Sequence, residues 1–190
     1  MVHVRGFVLG RYPIRGYLAW GDSEREALFV DPGGWDEVVM QFLEQERLRV
    51  GAIVLTHGHW DHIEGIAEAR TRLNAPVYAH RDDVHLLPEP PDVAVAGDEA
   101  ITCGDRAWRI LHVPGHTAGS VAYATSAVVF TGDALFAGAI GGTSTQEAYL
   151  LERQSIRERL FPLGDDVRVF PAHGPATTIG VERRCNPFLR

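Results

Sequence analysis

Thr56-His57-Gly58-His59-Trp60-Asp61-His62 is the stretch that decides how this chain is read. The apolar run Ala52-Ile53-Val54-Leu55 leads into it, as a strand buried on both faces would, and a helix begins near Asp61. His57 and His59 lie two apart in extended chain and therefore point the same way. Asp61 and His62 then sit at the helix start, displaced enough to reach a second ion. Three imidazoles and a carboxylate on one turn form a nitrogen/oxygen ligand set suited to zinc, with iron and manganese as the other candidates. An HxHxDH pattern should arise by chance in about one chain in a thousand of this composition. The plain alternative is a polar turn whose histidines cap a helix. It does not account for four ligand-type residues together, although Asp61 alone could be an N-cap.

Outward from that turn, short apolar runs alternate with amphipathic segments. Toward the N-terminus, Val2–Leu9, Tyr17–Trp20 and Ala27–Val30 read as a strand meander, closed by Asp31-Pro32-Gly33-Gly34. Val38, Val39, Phe42 and Leu43 then mark an amphipathic helix with Asp36 as its N-cap. Toward the C-terminus, a helix is expected over Ile63–Leu73 and a strand over Val77–Ala79, followed by an exposed loop at Leu87–Asp92. Strands follow near Trp108–Val113, Val121–Ala124 and Ala127–Phe130, then a helix around Glu147–Leu160 and a last strand at Val167–Phe170. Strands and helices are mixed, which predicts an α/β protein with sheets covered by helices. The echo between AIVLTHGHWDH and AVVFTGD suggests two related halves facing one another.

Three later strand ends carry the same kind of residue beside glycine: His116 in VPGHTAGS, Asp133 in FTGDALF and His173 in VFPAHG. Each alone is weak. Joined to the first motif, they make a set too large for one tetrahedral ion and suited to two ions that share a carboxylate.

The composition fits a modest globular protein. The 190 residues carry a net charge of −7, and no lysine occurs among the basic residues. An acidic chain with no basic run lacks the footprint of a nucleic-acid binder. No apolar stretch is long enough to span a membrane, and the N-terminal segment has charges where an export signal needs an apolar core. Cys103 and Cys185 cannot build a disulfide framework, so the cytoplasm is the simpler compartment. The length predicts one domain over residues 1–190.

The order HxHxDH, then His116, Asp133 and His173 on later strand ends, resembles the metallo-β-lactamase superfamily over nearly the whole chain. The resemblance implies a four-layer αββα sandwich of two mixed sheets flanked by helices, with metal at one sheet edge. Carried over by position, His57, His59 and His116 would hold a first ion, Asp61, His62 and His173 a second, and Asp133 would bridge them. Asp31, in VDPGG, is either a supporting residue behind the ligands or a turn former. Within the superfamily, TGDALFAGAIGG and PAHGPATTIGVERRCNPF look most like small glyoxalase II-type hydrolases, the hydroxyacylglutathione hydrolase group. That likeness implies a small-molecule thioester as substrate, cleaved by hydroxide held between two divalent ions, with Asp61 and Asp133 serving the chemistry.

A lactone is the neighbouring possibility. A persulfide dioxygenase-like oxygenase would instead use a single iron at His57, His116 and Asp133, and a non-catalytic binding module is a third class. β-Lactamase activity is disfavoured, because neither cysteine falls where common lactamases place a ligand. Two departures bear on the substrate. Gly141-Gly142-Thr143-Ser144 stands where related proteins read GRT(D), so the arginine linked with glutathione-type substrates is missing. The chain also ends soon after His173, without the separate C-terminal glutathione-binding domain of full-length glyoxalase II. Tyr149 could donate to substrate, though packing on its helix is the expected role. Trp60 could line the cleft mouth or cover the turn. His3, His80, His85 and His112 are assigned to structure or surface, and both cysteines to packing.

Overall fold

The computed structural model describes residues 1–190. Six strands form a first sheet: β1 (His3–Leu9), β2 (Ile14–Trp20), β3 (Glu26–Val30), β4 (Arg49–Val54), β5 (Val77–His80) and β6 (Val93–Val95), in that spatial order. The first three make the antiparallel meander that the sequence predicts. From β3 onward the pairing is parallel, because helices α1 (Glu37–Glu46), α2 (Trp60–Ile63) and α3 (Ile66–Leu73) supply the crossovers. The second sheet contains β7 (Ala100–Cys103), β8 (Arg106–His112), β9 (Val121–Ala124), β10 (Val128–Gly132), β13 (Arg168–Pro171) and β14 (Thr177–Thr178), ordered β14-β13-β10-β9-β8-β7. Short strands β11 (Leu135–Phe136) and β12 (Ala139–Ile140) form a hairpin between the last two long segments. Helices α4 (Gln146–Ser155) and α5 (Ile179–Cys185) complete the chain.

Alternation along the strands sorts the core into three layers. On β4, Val50 and Ile53 face α1 and α3, whereas Ala52 and Val54 face the opposite sheet. Between the sheets, Tyr17, Trp108, Tyr123, Phe130 and Phe170 interleave, and the hydroxyls of Tyr17 and Tyr123 donate to the carbonyls of Pro171 (2.7 Å) and Leu55 (3.0 Å). Beyond the second sheet, Leu111, Val129, Val169, Ile156 and Leu160 pack under α4. Helix, sheet, sheet, helix is the αββα order that the resemblance implied. No helix is long and apolar enough to cross a membrane.

Several boundaries differ from the sequence reading. Asp36 does cap α1, accepting from the Val38 amide at 2.9 Å. The expected helix over 63–73 is instead two pieces, because the Gly65 amide turns away to the Pro32 carbonyl at 2.8 Å. Asp61 is no N-cap, since α2 starts at Trp60 behind His59 without a side-chain cap. The helix expected to reach Leu160 leaves α geometry after Ser155 and finishes as a π-helical turn over Ile156–Leu160, which turns Ile156 and Leu160 into the core. Strands β6, β7 and β14 and helix α5 were not expected at all. They are short, and periodicity is a weak signal over so few residues.

One buried group makes a measurable demand on stability. Glu152, on the inner face of α4, is fully buried, and neither carboxylate oxygen has a hydrogen-bond partner. Burial pushes its carboxyl from the ordinary 4.5 up to about 8; the Gly141 amide opposes this and the Asp133 charge adds to it. Between those values the unfolded chain releases a proton that the folded chain retains, so folded stability falls as pH rises through that window. Glu152→Gln protein should therefore melt close to the parent at pH 5 and above it, by about 5 °C or more, at pH 8. Thermal unfolding at the two pH values checks this, and a gap that narrows as pH rises contradicts it.

Candidate metal centre

The chemistry-bearing side chains leave the C-terminal ends of parallel strands, which all open on one edge of the sandwich. Asp31 follows β3, residues 56–62 follow β4, His116 follows β8, Asp133 follows β10 and His173 follows β13. This is the edge at which α/β sheets commonly place ligands, because the chain must turn there and its side chains converge.

All seven residues singled out in the sequence converge there. His57, His59 and His116 form one group and Asp61, His62 and His173 another, and within each group the ligand-type atoms lie within 4.8 Å of one another. His59 Nδ1 and His116 Nε2 are 2.9 Å apart, and His173 Nε2 is 3.5 Å from Asp61 Oδ2. Asp133 stands between the groups. Its Oδ2 is 3.7 Å from His116 Nε2, while its Oδ1 is 3.3 Å from His62 Nε2 and 3.7 Å from His173 Nε2. One carboxylate thus presents one oxygen to each side.

The far ring nitrogens are tied down, which fixes the tautomers. His62 Nδ1–H donates to Asp31 Oδ2 at 3.0 Å, and the Thr56 hydroxyl donates to the same oxygen at 2.6 Å. Since that hydroxyl spends its proton on Asp31, it accepts from His57 Nδ1–H at 3.2 Å. His116 Nδ1–H donates to the Gly142 carbonyl at 2.7 Å. In His57 and His116 Nε2 is left with its lone pair facing the cluster, whereas His62 also carries a proton on Nε2 in the metal-free protein. His57 Nε2, His62 Nε2 and Asp133 Oδ1 are buried there without a hydrogen-bond partner. Buried polar atoms orphaned in this way are costly unless something satisfies them. Nitrogen and carboxylate oxygen converging without sulfur suit a borderline divalent cation, so the residues fit a metal. They form a metal-binding histidine–aspartate cluster.

Electrostatics favour the same occupant. Burial, reinforced by the neighbouring rings of His62 and His116, holds His57 well below the usual imidazole range, so it stays neutral. Burial and His116 also lower His59. For His62, burial works downward but the Asp31 and Asp133 carboxylates outweigh it, and the ring is raised to about 10. Burial raises the Asp133 carboxyl, yet the His62 imidazole 3.3 Å away and the other surrounding imidazoles hold it below the ordinary value. A cation held by this cluster would take the place of the His62 proton.

Of the residues left open by the sequence, Asp31 is the clearest. It is buried, adopts a positive φ of 49°, and gathers the Thr56 amide, the Thr56 hydroxyl and His62 onto one carboxylate. Its carboxylate stands behind His62, and its backbone also makes the turn, accepting from the Gly33 amide at 2.9 Å. Trp60 is 49% exposed and meets the ring of Tyr12 edge-on at 4.7 Å. Tyr149 packs against the core under α4, with the Arg153 guanidinium 5.5 Å above its ring. His112 donates to the Ala118 carbonyl at 2.8 Å and stacks on His80 at 4.3 Å, and with Asp82 the two form a separate group of ligand-type atoms within 4.8 Å of one another. Cys103 is buried in β7, where burial lifts its thiol to about 12, and Cys185 is exposed at the end of α5; neither joins the cluster. Gly142 is exposed, and a Cβ there would meet nothing within 4 Å. Sequence reasoning missed Thr56 and Asp83. Thr56 adjoins the motif and could have been suspected, whereas nothing local marks Asp83.

Comparison with known proteins agrees with this geometry. The family model described as the metallo-beta-lactamase superfamily matches residues 10–173. Hydroxyacylglutathione hydrolase GloC of Haemophilus influenzae is 34% identical over 193 residues, which cover 90% of this chain and 91% of that protein. The crystal structure of the B3 metallo-beta-lactamase BLEG-1 superposes with a TM-score of 0.90 at 33% identity, covering 98% of this chain and 99% of that one. The di-iron-bound form of TTHA1623 superposes with a TM-score of 0.81 at 31% identity, covering 97% of this chain and all of the other.

Proposed function

The chain belongs to the metallo-beta-lactamase superfamily, and from that premise we propose that it is a dinuclear hydrolase that cleaves small-molecule thioesters in the manner of glyoxalase II. His57, His59 and His116 would hold one divalent ion and Asp61, His62 and His173 the other, with Asp133 shared and zinc as the first choice of metal. The observation that carries the reading is the split carriage of Asp133, one oxygen toward each group. The likeness to a protein named hydroxyacylglutathione hydrolase supports the thioester class.

Bound divalent ions supply two things here: a water of pKa lowered to about 7 and a positive charge for a carbonyl oxygen. The rest falls to the chain. Asp31 and Thr56 lock His57 and His62 in the tautomer whose Nε2 faces the cluster. The carboxylates of Asp61 and Asp133 would offset cationic charge inside the cleft. Tyr12 and Trp60 form an exposed aromatic pair beside the turn that carries His59 and Asp61. The volume beside Gly142 admits a bulkier or less anionic thiol part than an arginine at that position would. A thiol leaves with a pKa near 8.5, far below that of an amine, so it departs as thiolate without a dedicated acid.

The test is a matched series sharing one acyl group: a thioester, a lactone or oxyester, an amide and a β-lactam, assayed with the zinc-loaded protein. The expected order is thioester first, then lactone, with the amide and β-lactam slower by at least about 10²-fold, as leaving-group pKa dictates. A β-lactam turned over faster than the thioester overturns the assignment.

A further inference from the structure

Asp83 lies outside the seven candidate ligands and has no place in the chemistry above. It follows β5 in a 3₁₀ turn over Arg81–Leu86, and its side chain is 2% exposed. A carboxylate buried so deeply needs several donors. It has three, and they come from both loops of the three-histidine group. The Gly58 amide donates to Oδ2 at 2.9 Å, between His57 and His59. The Thr117 hydroxyl donates to the same oxygen at 2.8 Å and the Gly119 amide to Oδ1 at 2.8 Å, both just after His116. Both glycines serve this approach: a Cβ on Gly119 would lie 2.6 Å from the Asp83 carboxyl carbon, and one on Gly58 would lie 2.8 Å from Leu86 Cβ. None of the three bonds reaches Asp61, His62 or His173. Asp31, on the other side, bonds to His62 and to Thr56.

We propose that Asp83 is the positioning residue of the three-histidine half of the centre, clamping the loop of His57 and His59 to the loop of His116, while Asp31 does the corresponding work for His62. Asp83 thus serves one half of the centre only, whereas Asp31 reaches His62 directly and His57 through the Thr56 hydroxyl. The inference rests on the division of ligands proposed above, but not on the identity of the substrate.

Asp83→Asn is the informative change. An asparagine amide group must face either the Gly119 amide or the Gly58 amide, donor against donor, so at least one clamp bond is lost with little change in volume. Zinc per chain is measured after dialysis of the full-length protein against a graded series of chelator. The parent should release both ions over one range. Asp83→Asn should release one ion at a chelator concentration about 10–100-fold lower and keep the other near the parental value, the usual cost of losing a partner behind a metal ligand. Which ion remains is read from double variants. In the Asp83→Asn background, His173→Ala should remove the residual zinc, whereas His59→Ala should leave it. Asp31→Asn, whose carboxylate holds His62 and, through Thr56, His57, should by contrast weaken both ions together. Parental release by Asp83→Asn, or loss of both ions in parallel as a general loosening would give, overturns the proposal. Because no substrate enters the measurement, a failed thioester assay leaves this result standing.

Discussion

Asp133→Asn protein is expected to hydrolyse thioesters at least about 10³-fold more slowly than the parent and to hold one divalent ion per chain in place of two. Asp133 faces both groups, with Oδ2 toward His116 and Oδ1 toward His62 and His173. Asparagine keeps the volume but gives up the charge, and its amide group offers a donor where a lone pair is needed. The carboxylate also helps to hold His62 protonated in the metal-free protein, so the substitution should lower that ring toward its ordinary value. Elemental analysis beside steady-state kinetics checks the expectation. Full activity with two ions bound would remove the shared carboxylate from the account.

Metal removal should have the second large effect, and on stability as well as activity. Without an ion, His57 Nε2, His62 Nε2 and Asp133 Oδ1 are buried donors and acceptors that nothing satisfies. An ion held a thousandfold above its Kd stabilises the folded chain by about 4 kcal/mol. In a domain of this size each kcal/mol moves Tm by about 2–4 °C. Two ions should therefore raise Tm by about 10 °C or more over the chelated protein, and re-addition of zinc should restore both Tm and hydrolysis. The dependence on pH has a definite sign. Protons compete for His62, which is raised to about 10 in the metal-free cluster, so the second ion should bind more weakly as pH falls. Calorimetry of chelated and zinc-loaded protein at pH 6 and 8 measures this, and an unchanged Tm contradicts it.

Much of the site was legible because its residues announce themselves in chemistry and spacing. HxHxDH places four ligand-type side chains on one strand-to-helix turn, and His116, Asp133 and His173 each follow an apolar run that had to be a strand. The fold followed from the same runs, since β4 must bury both faces and therefore needs a layer on each side. What stayed hidden was tertiary. Asp83 sits in RDDVHL, indistinguishable from a solvated acidic turn until the loops of Gly58 and Gly119 close on it. Asp31 read equally well as a turn former, because only the fold brings it to His62, thirty-one positions away. The break at Gly65 depends on a bond to Pro32, and the π turn after Ser155 on packing beneath β8 and β13; neither has a local sequence signal. Glu152 was read simply as part of a helix, although its carboxylate is buried without a partner.

The most direct test of a dinuclear hydrolase is one sample carried through three readings: metal content of the purified protein, release of thiol from a thioester, and oxygen uptake with thioester or persulfide. The account predicts two divalent ions per chain, thiol released in proportion to their occupancy and no oxygen consumed. One iron per chain, with oxygen consumed on persulfide and no thioester cleaved, would contradict it.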